Sequence, residues 1–117
     1  MSYNTEKLIY LTTIGRKTGK EHTVEIWFAY DDWRIYLSHE GDYTDWMKNI
    51  TKNENVKFRI GPIRFTGKAR IITEISEMKK AKNALYLKYY GPASEAKIED
   101  WFELSTLLEI YSFTKLS

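Results

Sequence analysis

The sequence predicts a mainly β fold with inserted helices (α+β), arranged as a six-stranded antiparallel β-barrel. Three observations support this prediction: six segments are rich in strand-forming residues, short turns separate most of them, and a stretch with a helical period interrupts them midway. A closed barrel leaves no exposed sheet edges, which favours it over an open sheet with helices on one face. The sequence leaves open whether the first strand pairs with the last.

The first half of the chain is predicted to be an antiparallel meander. Residues 7–13 form the first strand, and the polar turn of residues 15–20 leads into the second strand, His22–Tyr30. Glycine at each end of that turn allows a positive φ without steric cost. Asp31-Asp32 then turns the chain into the third strand, Arg34–Ser38.

The middle of the chain is predicted to be one short helix followed by two strands. Thr44 is the expected cap of this helix. The strands are expected at residues 56–60 and 63–71, and the small residues Gly67 and Ala69 predict a bend or a close approach in the second. The apolar face of the helix consists of Trp46, Met47 and Ile50.

The last third is predicted to be two helices and a final strand. Ser76 is the expected cap of the first helix, which Gly91-Pro92 ends. The second helix is expected at Ala96–Ser105 and the final strand at Leu107–Phe113.

Composition limits the classes of function. A length of 117 residues suits one domain, which we expect to span 1–117. The absence of cysteine excludes thiol nucleophiles and disulfides, and two histidines argue against a metal site. No apolar run reaches the roughly 20 residues that span a bilayer, and the N-terminus lacks a signal-peptide pattern. We therefore expect a cytoplasmic protein without a transmembrane segment.

Positive charge is concentrated in the first part of the chain. Residues 7–70 hold 12 Lys and Arg against 8 Asp and Glu, although the net charge of the chain is only +2. Arg16, Lys17 and Lys20 lie in the turn of residues 15–20, where their side chains and the backbone N–H groups suit a phosphate or carboxylate. The turn is not a Walker loop, because it leads into a strand. A solvated hairpin tip is the alternative interpretation.

Three histidine and tryptophan side chains are further binding candidates. His22 follows the cationic turn and adds a positive charge there when protonated. His39 lies beside Ser38 at a strand end, where binding groups often cluster, although a solvent-facing position also fits it. Trp46 is either a core residue or a platform for a ligand.

A tyrosine cluster is the last candidate. Tyr86 and Tyr90 are four residues apart and share a helical face, with Tyr89 beside them. They either seal the barrel or bind a planar substrate. The sequence has no Ser–His–Asp constellation and no Gly-x-Gly-x-x-Gly fingerprint, so an enzyme of this sequence depends on a cofactor for its chemistry.

The order of these motifs resembles that of the deazaflavin-dependent nitroreductase family. That family has the split β-barrel fold of the flavin-binding pyridoxamine-phosphate-oxidase-like superfamily. The resemblance extends from about Leu8 to Ile72 and is weaker in the tyrosine-rich helix. The segments that carry it are Leu11–Lys20, Trp27–Asp31, Ser38–Gly41 and Asp45–Asn49.

The resemblance implies a split β-barrel that binds reduced coenzyme F-420 and transfers a hydride to an electron-poor small molecule, namely a quinone, nitroaromatic or enone. The catalytic candidates are Ser38, Tyr86 and Tyr90, as donors to the negative charge that develops on the acceptor. The cofactor-binding candidates are Arg16, Lys17, Lys20, His22, Ser38, His39, Trp46 and Asn49.

Three positions depart from the family pattern. His22 replaces a usual Arg, His39 a usual Lys and Glu25 a common Pro, and each change weakens an anion site unless other cations compensate. FMN, with a smaller anionic tail, is therefore the alternative cofactor. Catalysis also stays open at this point, because a non-catalytic flavin-binding module would fit the same residues.

Two predictions concern partners. A nucleic-acid-binding barrel is disfavoured because Val56, Phe58 and Phe65 fall on the apolar phase of their strands, opposite the cations. A homodimer is possible through a surface that contains Trp27 and Trp33.

Overall fold

Six antiparallel strands close into a barrel in the order β1-β2-β3-β6-β5-β4. The computed structural model describes residues 3–41 and 43–116. The strands are β1 (Leu8–Ile14), β2 (Glu21–Asp31), β3 (Arg34–Glu40), β4 (Asn55–Ile60), β5 (Ile63–Ile71) and β6 (Ser105–Lys115). A 3-10 turn at Tyr3–Thr5 precedes β1, and the helices are α1 (Asp45–Lys52), α2 (Ile75–Tyr90) and α3 (Glu95–Trp101). The predicted six-stranded barrel is confirmed, and the open sheet is wrong.

Closure depends on pairings between strands that are distant in sequence. β1 pairs with β2 on one side and with β4 on the other, so that Leu11 lies opposite both Val24 and Phe58. β6 lies between β3 and β5. The first strand therefore does not pair with the last, a point that the sequence left open.

The barrel is split where β2 changes its partner. Residues 21–27 of β2 pair with β1, whereas residues 28–31 pair with β3. The end of β3, residues 38–40, pairs with β6 and not with β2. The first half of β2 thus has a strand on one side only, and α1 follows β3 near this gap.

Alternation along the strands fills the barrel with apolar side chains. Phe28, Phe58 and Phe65 are at most 3% exposed, in agreement with the predicted inward phase. From α1, the predicted apolar face joins this core, with Trp46, Met47 and Ile50. A second apolar cluster lies between α2, α3 and the outer side of β2, β3 and β6.

Gly67 lies where two strands approach closely, as the sequence predicts. An added Cβ would lie 2.5 Å from the carbonyl oxygen of Ser112 and 2.9 Å from the Cβ of Phe113. The pairing of β5 with β6 shifts register between Lys68 and Ala69, which is the irregularity expected for a bend.

The helix boundaries differ from the predicted ones. α2 begins at Ile75, one residue before the predicted cap Ser76, because the carbonyl of Glu74 already accepts the N–H of Met78. Ser94, whose hydroxyl accepts the N–H of Lys97, caps α3. This helix ends at Trp101 and not at residue 105. Among the described residues, no helix has the length and apolar character needed to cross a bilayer.

Tyr89 joins the end of α2 to the sheet. Its hydroxyl accepts the N–H of Phe28 at 2.9 Å and lies 2.7 Å from the carbonyl oxygen of Lys7 and 2.8 Å from that of Phe28. Its ring stacks on that of Trp27 at a centroid distance of 4.3 Å. Burial raises the pKa of Tyr89 to about 12.

Replacing Gly67→Ala is expected to lower the free energy of unfolding by about 1–3 kcal/mol, because the new methyl group overlaps the backbone of β6. Urea denaturation of both proteins measures the change. A midpoint equal to that of the wild type would contradict the close approach of β5 and β6.

Replacing Tyr89→Phe is expected to lower stability by about 1–2 kcal/mol at neutral pH, since a backbone N–H loses its partner. The raised pKa of Tyr89 means that its contribution is present below pH 10 and is lost as pH rises toward 12. The variant should therefore lose less stability than the wild type across that range. Denaturation at several pH values tests this, with Tyr90→Phe as the matched control.

Candidate functional site

The predicted cationic turn and the Trp46 helix border one pocket of about 540 Å³, which we call the loop–helix pocket. It lies between the β1–β2 turn and the first turns of α1, beside the half of β2 that pairs only with β1. Its volume is in the range of small-molecule sites. The lining residues are Gly15, Arg16, Lys17, Thr18, His22, Thr23, Val24, Thr44, Asp45, Trp46 and Asn49.

The buried side chain of Asn49 holds the turn against α1. Its Oδ1 accepts the backbone N–H of Arg16 at 3.1 Å and the Nη1 of the same residue at 3.0 Å. Its Nδ2 donates to the hydroxyl of Thr13 at 3.2 Å. Asn49 is 2% exposed and Thr13 is fully buried, so the bond between them is shielded from water. The amide therefore fixes the turn, the strand and the helix relative to one another.

Arg16 is already paired within the protein. Beyond its bonds to Asn49, its Nη2 lies 3.4 Å from Oδ1 of Asp45, and its Nη1 lies 3.5 Å from the carbonyl oxygen of Asp45. The guanidinium thus connects the turn to the first residue of α1. Part of the positive charge predicted for the pocket is therefore balanced by a carboxylate.

Lys17 is the cation of the turn that is available to bind a ligand in the pocket. Within the described part of the chain it has no ion-pair or hydrogen-bond partner, and it lines the pocket. Lys20 lies at the far end of the same turn and does not line the pocket. The turn itself is held by Gly15, whose N–H donates to the carbonyl of Lys20 at 2.7 Å.

Trp46 satisfies both interpretations made from the sequence. It is 7% exposed and belongs to the core of the barrel, and it also forms part of the pocket wall. The ring of His39 meets the indole edge-on at a centroid distance of 6.4 Å. The indole is therefore a rigid wall that core packing holds in place.

Ser38 and His39 point to opposite sides of β3. His39 follows the phase of Ile35 and Leu37, which face the barrel interior, whereas Ser38 follows the phase of Tyr36, which packs under α2. Neither residue lines the loop–helix pocket. The structure therefore does not bring the two together on one surface.

The three departures from the family pattern are not equivalent. Only His22 lines the pocket. Glu25 is exposed and pairs in register with Tyr10, on the outer phase of the sheet. The expectation that Glu25 places negative charge against the pocket is not supported.

The tyrosines form a separate aromatic group. Tyr86 is 5% exposed in the second apolar cluster, and Tyr90 is 47% exposed at the surface. Their ring centroids are 5.0 Å apart, and Trp101 lies 4.8 Å from Tyr90. Trp27 completes the group through contacts with Tyr89 and Tyr90. None of these rings lines the loop–helix pocket.

Six lining residues were not among the predicted site residues: Gly15, Thr18, Thr23, Val24, Thr44 and Asp45. Thr44 and Asp45 are the two whose chemistry bears on a ligand. Thr44 was expected only as a helix cap, yet its hydroxyl makes no capping bond. Its Oγ1 is buried without a hydrogen-bond partner among the described residues. Asp45 was part of the motif without a role, although an acid in the first turn of a helix beside an arginine-containing turn is a readable signal.

The pocket fits a cofactor that combines a planar ring with a phosphate. Arg16 and Lys17 supply positive charge, His22 adds charge when protonated, and the unpartnered hydroxyl of Thr44 is a group that a ligand oxygen can satisfy. Trp46 supplies a flat apolar wall. Within residues 3–41 and 43–116, no three acidic or histidine side chains are placed to hold a metal ion.

The fold and the pocket define a small split β-barrel protein with a partly cationic pocket of cofactor size. The sequence matches the F-420H(2)-dependent quinone reductase family over residues 1–94, and the chain therefore belongs to that family. No curated protein matches the chain. The matched residues include five of the six strands and end before α3 and β6.

Solved structures share this fold at low sequence identity. The conserved hypothetical protein Rv2991 from Mycobacterium tuberculosis has a TM-score of 0.79 at 20% identity, over 97% of this chain and 79% of that one. The F-420-H(2)-dependent reductase FDR-A has a TM-score of 0.71 at 17% identity, over 89% and 93%. A proposed pyridoxamine 5'-phosphate oxidase from Listeria innocua has a TM-score of 0.69 at 14% identity, over 97% and 91%.

Family membership confirms the coarse prediction of function. The protein is an oxidoreductase, and its family uses coenzyme F-420. The resemblance to deazaflavin-dependent proteins is confirmed as well, and the fold is shared with the pyridoxamine-phosphate-oxidase-like protein. The roles of individual residues stay predictions.

Replacing Asn49→Ala is expected to lower stability by about 1–3 kcal/mol, because the buried hydroxyl of Thr13 loses a partner. The backbone N–H of Arg16 should also exchange faster with solvent, since its acceptor is removed. Hydrogen exchange and urea denaturation measure the two effects.

Asn53→Ala is the matched control, because Asn53 caps the C-terminus of the same helix and, among the described residues, its side chain accepts hydrogen bonds only from Asn55. It should leave the exchange of the Arg16 amide unchanged. Equal protection of that amide in Asn49→Ala and wild type would show that Asn49 does not hold the turn.

Proposed function

We propose that this protein transfers a hydride from reduced F-420 to an electron-poor small molecule such as a quinone, with the cofactor phosphate in the loop–helix pocket. The observation that carries the proposal is the juxtaposition of Lys17, Arg16 and Trp46 in one pocket. These residues come from a hairpin turn and a helix more than 25 residues apart in sequence, and the buried amide of Asn49 holds the two together. The family match supports the choice of cofactor.

The chain's own residues bind the cofactor, orient it and exclude water from it. When bound, F-420 would supply the hydride, and Lys17, protonated His22 and the wall of Trp46 would hold the cofactor. Such positioning is the main catalytic contribution of a protein whose cofactor carries the reactive atom.

We base the proposed residues near the acceptor on the position of the aromatic group and on the gap where β2 changes its partner. Tyr90 is exposed, and Ser38 lies on the same side of the sheet as the tyrosine cluster. A hydroxyl from Ser38, Tyr86 or Tyr90 is the proposed donor to the negative charge that develops on the acceptor. Because Tyr86 is 5% exposed, Tyr90 has the better access of the two tyrosines.

FMN is the second candidate cofactor, in a flavin reductase, a flavin oxidase or a binding protein without turnover. One observation favours it: Arg16 is paired with Asp45, so less charge is available for a long anionic tail than the sequence predicts. Separate titrations with F-420 and FMN, followed by the quenching of tryptophan fluorescence, distinguish the cofactors. We expect tighter binding of F-420.

Replacing Lys17→Ala is expected to weaken the binding of F-420 about tenfold or more, since a charge-assisted contact to an anion is lost. The same change should hardly alter stability, because an exposed cation without a partner contributes little to folding. Titration and urea denaturation measure the two quantities.

Lys20→Ala is the matched control, because this lysine belongs to the same turn and lies outside the pocket. Its effect on affinity should be much smaller. Equal losses of affinity in the two variants would move the anion site away from the loop–helix pocket.

A further inference from the structure

We propose that Asp45 sets the affinity of the loop–helix pocket for anionic ligands by competing with them for Arg16. The inference rests on the proposed function, because it takes the ligand to be the anionic part of the cofactor. It assigns a role to Asp45, to which the sequence motif gave none. This acid lowers the affinity for anions, whereas the cations of the pocket raise it.

The guanidinium of Arg16 has two separate sets of contacts. Nη1 donates to the buried Oδ1 of Asn49, which also accepts the backbone N–H of Arg16, and the same Nη1 lies 3.5 Å from the backbone carbonyl oxygen of Asp45. Nη2 is directed at the carboxylate of Asp45, 3.4 Å away. The first set anchors the side chain, so the second can be exchanged without displacing the turn.

The Asp45 carboxylate is suited to be displaced. Its side chain is 89% exposed, whereas that of Arg16 is only 25% exposed. An exposed ion pair of this kind contributes little to stability. A ligand phosphate presents the same kind of acceptor with more charge, and it can replace the carboxylate at Nη2 while Asp45 turns toward solvent.

Charge repulsion acts in the same direction as the competition. Arg16, Lys17, His22 and Asp45 are the charged or titratable groups that line the pocket, and Asp45 is the one acid among the lining residues that the structure describes. A carboxylate at the mouth repels an approaching phosphate and also occupies its donor. Both effects lower the affinity for anions, and salt screens both.

The variant Asp45→Asn tests the proposal, because it removes the charge and keeps the shape of the side chain. We expect F-420 to bind about 2- to 5-fold more tightly than to the wild type at low ionic strength. The gain should shrink at roughly 0.5 M salt, where the Debye length is only a few ångströms. Structural damage would weaken binding, so a gain in affinity cannot come from misfolding.

Glu95→Gln is the matched control. Glu95 is also an acid in the first turn of a helix, and it pairs with Lys79 at 3.3 Å with a side chain that is 73% exposed. It does not line the loop–helix pocket, so its replacement should leave the affinity unchanged at both salt concentrations. A double variant with Arg16→Gln should show less of the gain from Asp45→Asn, because the contested donor is then absent.

The outcomes separate the two proposals. If Lys17→Ala weakens binding while Asp45→Asn binds F-420 no more tightly than the wild type, the competition is wrong and the cofactor site stands. If neither the wild type nor Asp45→Asn binds F-420, the proposed function is wrong, and this inference is wrong with it. If Asp45→Asn loses the wild-type circular dichroism, Asp45→Ser is measured in its place, because serine suits the start of a helix, and the same gain is required of it.

Discussion

The candidate site depends on one buried side chain, the amide of Asn49 in α1. This amide forms hydrogen bonds to Thr13 in β1 and to Arg16 in the β1–β2 turn. Most of the buried side chains around it are apolar, and a buried amide without partners would be costly. The hydrogen bonds of Asn49 to Thr13 and Arg16 therefore define how α1 and the turn lie relative to one another. This arrangement is what places Lys17 and the indole of Trp46 at the same pocket.

The pocket also needs the irregularity of the barrel. If β2 paired with β3 over its whole length, the first half of β2 would be covered by a strand on both sides. It pairs with β1 there and with β3 only over its second half. The apolar face of α1 packs into the core near the gap, and its first turn remains at the edge of the pocket. A packing requirement of the core thus also produces the loop–helix pocket.

The balance of charge in the pocket is more even than the motif indicates. Counting residues in the turn predicts a strongly positive site, but Arg16 is shared with Asn49 and Asp45, and Lys20 lies outside. Of the family departures, His22 reaches the pocket and Glu25 does not. The sequence therefore indicates that cationic residues lie near the pocket. The contacts of each cation determine how much positive charge is available to a ligand.

The sequence by itself determined the number and order of the strands, the inward phase of Phe58 and Phe65, and the need for a small residue at Gly67, because these follow from local periodicity and backbone sterics. Helix boundaries near Ser76 and Ser105 were less well predicted, since a turn's hydrogen bonds and the burial of Phe102 override side-chain preference. Only the tertiary structure decided which face of β3 carries His39 and which carries Ser38, that the tyrosines lie outside the pocket, and that Asp45 pairs with Arg16. Those relations join residues distant in sequence or depend on which side of a strand meets a helix, and both are fixed by long-range packing that no local pattern encodes.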